Sequence, residues 1–202
     1  DTPIDLKKLW EQYKRVCKPN AAILLSAQTP FDKVLGASNL KMLRYEWIWE
    51  KTQPTGHLNA KKMPMKCHEN ILVFYKELPV YNPIKTQGHA RKVSTAAHKR
   101  NSKKTTNWGE HGLASYDSTE RYPRAKDTQK EALSPTQKPV ALSTYFINTY
   151  TNLGAVVLDN TMGSGSTGIS CLETGRYFIG MELDPEEFNK AKNRIENHEK
   201  TN

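Results

Sequence analysis

The sequence predicts an α/β fold, a sheet with helices on both faces, and three observations point to it. Residues 155–187 run as a short apolar stretch ending in Asp159, a glycine turn at Gly163-Ser164-Gly165, a helix-like segment over 166–173, and a second apolar stretch over 177–182 ending in Glu182. Three more short apolar runs, near 21–26, 45–50 and 71–75, alternate with helical or polar segments, as strands of such a sheet do. No run of 18 apolar residues occurs, so no membrane span is expected.

Each element has a local reason. Residues 5–17 place Leu6, Leu9, Trp10, Tyr13, Val16 and Cys17 on one helical face, and Lys18-Pro19-Asn20 ends that helix. Residues 21–26 form a strand of the kind buried on both sides, followed by a short helix over 31–38. Tyr45, Trp47 and Trp49 alternate onto one face of a strand over 45–50. Residues 51–69 read as a loop with Pro54, Gly56 and Pro64, made basic by Lys61, Lys62 and Lys66. His68 and Glu69 within it are expected to serve as structural hydrogen-bonding groups, because no second His or Cys stands at metal-ligand spacing. A strand over 71–75 precedes a long polar stretch. Pro139 suits the first turn of a helix over 140–150, where its missing N–H costs nothing. Asp184 is placed to cap a last helix over 185–196, with Glu186 and Glu187 in its first turn.

Strand, glycine turn, helix, strand and acid make half of a nucleotide-binding unit. Glycines let a ligand approach the backbone closely, and the open N–H groups at the helix start favour an anionic group. Glu182 lies 23 residues beyond Asp159, a spacing at which a carboxylate can accept hydrogen bonds from ribose hydroxyls. A glycine turn alone also fits a nicotinamide-dependent oxidoreductase, or a tight turn that binds nothing.

The chain has 202 residues, with 30 Lys and Arg against 21 Asp and Glu, a balance that favours polyanions. The charge is concentrated. Between 85 and 138 stand twelve basic residues, among them Arg91, Lys99, Arg100, Lys103, Lys104, Arg121 and Arg124, against five acids. Trp108, Tyr116 and Tyr122 are interleaved, so cations could neutralise phosphates while aromatics stack on bases. Cys17, Cys67 and Cys171 have no metal-ligand spacing and read as reduced thiols of a cytoplasmic protein, and no metal is expected.

Ser134-Pro135-Thr136-Gln137-Lys138-Pro139, the helix after it, L-D-N-T-M-G-S-G-S-T-G and I-G-M-E together resemble the β class of amino-methylating DNA methyltransferases. The resemblance is dense over 134–196 and looser over 3–85, through W-E-Q-Y-K-R, Y-E-W-I-W-E-K and H-E-N-I-L-V-F-Y-K. It implies a Rossmann-like sheet in the permuted β-class order with S-adenosylmethionine as cofactor. The cofactor would be held by Asp159, Asn160, Gly163, Ser164, Gly165, Thr167, Glu182, Thr136, Gln137 and Lys138. It further implies a target-recognition insertion over 85–131 between a target half at 1–84 and a cofactor half at 132–202. Double-stranded DNA would be met by Lys61, Lys62, Arg91, Lys99, Arg100, Lys103, Lys104, Arg121 and Arg124.

Departures from the pattern matter. Ser134 replaces the usual His, and Asn160-Thr161 replaces Pro-Phe, the usual aromatic contact. The family's catalytic tetrapeptide, Asp-Pro-Pro-Tyr or a near variant, does not occur in the 202 residues, and Thr29-Pro30-Phe31-Asp32 is in the wrong register to replace it. Catalytic residues are therefore unassigned. Five strands are expected where the family sheet has seven, leaving a break beside 155–159 that something else must fill. An apolar strand expected after Arg124 is not evident. The implied reaction is methyl transfer to adenine N6 in a bacterial or phage setting. The alternatives are cytosine N4 or a non-catalytic, split DNA-binding subunit. A homodimer or a cognate restriction system is left open.

Overall fold

The computed structural model describes residues 4–93, 117–124, 126–128 and 138–201. The chain divides into two compact units, Asp1–Asn82 with Ala125–Asn202, and Pro83–Arg124.

In the larger unit, helix α1 spans Leu6–Val16, with Asp5 accepting a hydrogen bond from the Lys8 amide and Lys14 and Arg15 in the last turn, where a helix favours cations. Its face buries Trp10 and Tyr13, but Val16, expected on the same face, is exposed. The helix ends there, and it is Cys17 that packs on the core. Strand β1 (Ile23–Ala27), helix α2 (Phe31–Ala37), strand β2 (Leu43–Thr55) and strand β3 (Lys66–Phe74) follow.

The first sheet has the order β1-β3-β2-β6, where β6 is Lys126–Thr128. Strand β3 is antiparallel to both neighbours, so β1 and β2 are mutually parallel. The expected 51–69 loop is shorter than the sequence suggests. Both strands continue into a hairpin, leaving 56–65 as its tip, with a 3-10 turn at His57–Asn59 and Gly56 at φ 91°. Ladder hydrogen bonds hold polar residues there that have no apolar pattern to announce a strand. Strand β6 occupies the place after Arg124 where an apolar strand is expected; it is polar and pairs parallel with β2 at Ile48–Glu50.

Side-chain alternation divides the sheet into two apolar faces. Leu72 and Phe74 join Trp10, Tyr13, Ile23, Ala27 and Leu35 under α1 and α2. Ile71 and Val73 join Trp47, Trp49, Leu142 and Tyr150 under helix α3, Val140–Tyr150. Pro139 caps α3 rather than lying within it.

Strand β7 (Val156–Asp159), helix α4 (Ser166–Thr174), strand β8 (Tyr177–Gly180) and helix α5 (Pro185–Thr201) complete the unit. Strands β7 and β8 pair parallel with each other as a separate two-stranded sheet. Two contacts bracket the division between the sheets. Ser170 on α4 donates to the Val140 carbonyl at the start of α3 (3.0 Å), and Tyr13 on α1 donates to Asn160 (2.9 Å). Among the described residues, no strand joins the two sheets. Tyr177 and Met181 donate to the carbonyls of Ala155 and Asp159. In a parallel ladder that alternation turns Val157 toward β8 and the amides and carbonyls of Val156 and Leu158 away from it.

In the smaller unit, β4 (Lys92–Val93) pairs with β5 (Asp117–Ser118), and Thr86 and Arg121 exchange backbone hydrogen bonds of 2.9 Å. Lys85 bonds Glu120 at 2.8 Å and lies 5.0 Å from the centre of the Tyr122 ring. Among the described residues, no helix is long and apolar enough to cross a membrane, no His, Cys, Asp and Glu cluster could hold a metal, and all three cysteines are free.

Candidate functional site

The glycine turn follows directly from the end of β7. Met162 is buried and its amide donates to the Met181 carbonyl at 2.9 Å, which ties the turn to the end of β8. The Gly165 amide closes a reverse turn onto the Met162 carbonyl (2.9 Å). Gly163 and Gly165 have φ of 48° and 79°, a region that L side chains rarely adopt. A Cβ on Gly163 would meet nothing within 4 Å, so that glycine borders open space.

Glu182 turns back onto this bend. Its Oε2 accepts from the Gly163 amide (3.0 Å), and its Oε1 accepts from the amides of Leu183 (2.8 Å) and Asp184 (3.2 Å). The Asp184, Gly163 and Leu183 amides hold this carboxyl below the usual glutamate range. An ionised carboxylate has roughly four acceptor positions, so the three amides leave acceptor capacity on Oε2.

Asp159 works inside the loop. Its Oδ1 accepts from the Thr161 amide (3.1 Å) and its Oδ2 from the Thr167 hydroxyl (2.7 Å), so it joins the end of β7 to the first turn of α4. The Asn160 side chain is tied to α1 through Tyr13, whose phenol burial pushes to a higher pKa. Asp159, Asn160, Gly163, Ser164, Gly165, Thr167 and Glu182 thus come together in one bend at the carboxyl ends of β7 and β8. Lys138 is exposed, two residues ahead of α3. Thr136 and Gln137 lie outside the described residues.

A second polar group, which sequence reasoning missed as a site, stands at the carboxyl end of β1 and along β2 and β3. Glu69, near the start of β3, accepts from Gln28 just after β1 (2.8 Å) and pairs with Lys51 on β2 at 2.5 Å. The Lys51 and Glu69 side chains are only 11% and 14% exposed. Burial pushes the Glu69 carboxyl upward, but Lys51 and Gln28, with Lys138 adding a longer-range attraction, hold it below the usual range. The expectation of a hydrogen-bonding role for Glu69 holds. Lys51 had no visible signal, because only the hairpin brings it near Glu69, whose register partner is Trp49. The Lys51 ammonium also lies 5.4 Å from the centre of the Trp49 ring.

Of the basic residues expected to meet DNA, Lys61 and Lys62 are exposed at the hairpin tip, and Arg91 and Arg124 are exposed in the smaller unit. Arg121 directs its guanidinium at carbonyls of its own unit, those of Ser118, Glu120 and Ala90. Lys99, Arg100, Lys103 and Lys104 lie outside the described residues.

Comparison with known proteins gives a consistent result. The pattern of the N6/N4-type DNA methylase family matches residues 5–193. A 68-residue stretch, 34% of the chain, is 40% identical to the type II methyltransferase M2.DpnII of Streptococcus pneumoniae and covers 25% of that enzyme. The chain thus matches about a quarter of the length of its curated relatives. In structure, it resembles the M1.HpyAVI complex with S-adenosylmethionine (TM-score 0.65, 24% identity, 96% of this chain and 85% of that one). It also resembles the cytosine-N4-specific PvuII DNA methyltransferase (TM-score 0.63, 13% identity, 96% and 75%).

Proposed function

The chain belongs to the N6/N4-type DNA methylase family, whose members depend on S-adenosylmethionine, and from that premise we propose that it binds this cofactor in the bend between β7 and β8 and acts on adenine N6 in double-stranded DNA. The observation that carries the proposal is the Glu182 carboxylate, held by three amides beside a glycine whose Cβ direction is open. That arrangement fits the cofactor's chemistry. Glu182 accepts a ribose hydroxyl, the open space at Gly163 admits the ligand against the backbone, and the amide-rich start of α4 favours the carboxylate of the methionine moiety. Asp159 and Thr167 keep the turn in register with the helix.

When bound, S-adenosylmethionine supplies an electrophilic methyl group on its sulfonium. The amino group of a paired base is hidden in the duplex, so the base must leave the stack to reach it. The basic residues at 61–62 and 85–131 are assigned to DNA phosphates. The preference for adenine over cytosine N4 rests on overall resemblance. Acceptors aimed at the target amine are the expected source of much of the rate enhancement, and no described residue is assigned that role.

A second reading, a DNA-binding subunit that needs a partner for activity, is favoured by one observation: the edge of β7 away from β8 has no strand on it among the described residues. Calorimetric titration with S-adenosylmethionine and NAD tests the cofactor assignment, and binding of NAD alone would overturn it. Labelled methyl transfer to unmethylated genomic DNA, followed by nucleoside analysis, separates N6-methyladenine, N4-methylcytosine and no transfer.

A further inference from the structure

We propose that Arg194, on the last helix, is a positioning residue that holds the cofactor turn in its binding conformation; this rests on the cofactor assignment above. Helix α5 seats one stripe of side chains on the turn and on α4. Ala191 is fully buried. A Cβ on Gly165 would lie 3.0 Å from Ile195 Cδ1 and 3.3 Å from Ala191 Cβ, and a Cβ on Gly168 would lie 2.5 Å from Ile195 Cδ1. The helix therefore rests directly on the two glycines that begin α4. From the same stripe, Arg194 Nη1 donates to the Ser164 carbonyl at 2.9 Å and lies 3.4 Å from the Ser166 hydroxyl.

The position of that carbonyl gives the contact its consequence. Ser164 and Gly165 share one peptide plane, in which the C=O and the following N–H point in opposite directions. Arg194 draws the Ser164 oxygen toward α5, and the Gly165 N–H is thereby aimed at the Met162 carbonyl, which closes the turn. Without Arg194 this peptide can rotate, and the amides at the start of α4, which receive the methionine carboxylate in the proposed binding mode, lose their alignment. The donor is a guanidinium, so the hydrogen bond is charge-assisted. The stripe carries a sequence signal, Ala191, Arg194, Ile195 and His198 at i, i+3, i+4 and i+7, but nothing in that spacing says what it packs on.

The test uses the full chain with Arg194→Met, which keeps the apolar stem, and Arg194→Lys, which keeps the charge. The titrants are S-adenosylmethionine and 5′-methylthioadenosine, which has the ribose and adenine but no carboxylate. Arg194→Met is expected to weaken S-adenosylmethionine by about tenfold, the effect of losing a charge-assisted hydrogen bond, while 5′-methylthioadenosine is little changed. Arg194→Lys should recover part of the loss. Exchange of the Gly165 amide in the unliganded Met variant should accelerate. Equal weakening of both ligands, or unchanged binding and exchange, would overturn the role. If the unaltered chain binds neither ligand, the cofactor assignment itself fails, and Gly165 exchange still decides whether Arg194 holds the turn.

Discussion

The Glu182 carboxylate accepts a hydrogen bond from the Gly163 amide at 3.0 Å, so the acid after β8 reaches back to the glycine bend after β7, 19 residues earlier. This one contact joins the two loops of the proposed cofactor site. Together with the Asp184 and Leu183 amides, it also holds the acid below the usual glutamate range.

Glu182→Gln should weaken S-adenosylmethionine by about tenfold, since a neutral amide is a poorer acceptor for a ribose hydroxyl. The pH dependence has a definite sign. The folded-state pKa of Glu182 is depressed, so its charge is kept below the ordinary glutamate value of about 4.3. Its contribution is present above that value and is lost as pH falls through the lower folded-state pKa. Calorimetric titrations at descending pH should therefore show binding retained through the ordinary glutamate range. A loss of affinity centred on that range would show that the amides do not hold the acid.

Glu69→Gln should destabilise the fold by about 3 kcal/mol, because it leaves the Lys51 ammonium nearly buried without its counter-charge. Paired replacement by Lys51→Met and Glu69→Leu should restore most of the loss. With Glu69 depressed, the pair's stability is complete above the ordinary glutamate range and is lost only as pH falls through the lower folded value. Urea unfolding of the single and double variants measures the magnitude.

The edge of β7 that faces away from β8 makes a prediction at single amides. Val156 and Leu158 should exchange with deuterium faster than Val157 and Asp159, whose amides point at β8. Protection of the first two on adding a chain that restores activity would place a strand on that edge. Uniform protection in the chain alone would mean the edge is already covered.

Replacing Lys99, Arg100, Lys103 and Lys104 with Ala should flatten the plot of log DNA affinity against log salt by about 0.9 unit for each phosphate no longer neutralised. Replacing Lys61 and Lys62 provides the comparison. An unchanged slope for the first set, with a reduced one for the second, would move the main DNA surface to the hairpin tip.

The local sequence determined the elements whose cause is local. Apolar runs at 71–74 and 156–158 form strands, Asp5 and Asp184 cap their helices, and Gly163 and Gly165 take backbone angles that other residues resist. The bend holding Asp159 and Glu182 was legible for the same reason, because strand, turn and acid are contiguous. What only the tertiary structure decided depends on residues far apart in the chain. The hairpin extending β2 to Thr55 and β3 back to Lys66 is held by backbone ladder bonds, which any side chain permits. Lys51 meets Glu69 because of that register, and Arg194 meets the Ser164 carbonyl because two glycines let α5 lie close. Burial, partner and ionisation follow from which surfaces come together, and a residue's type and neighbours in sequence do not specify that.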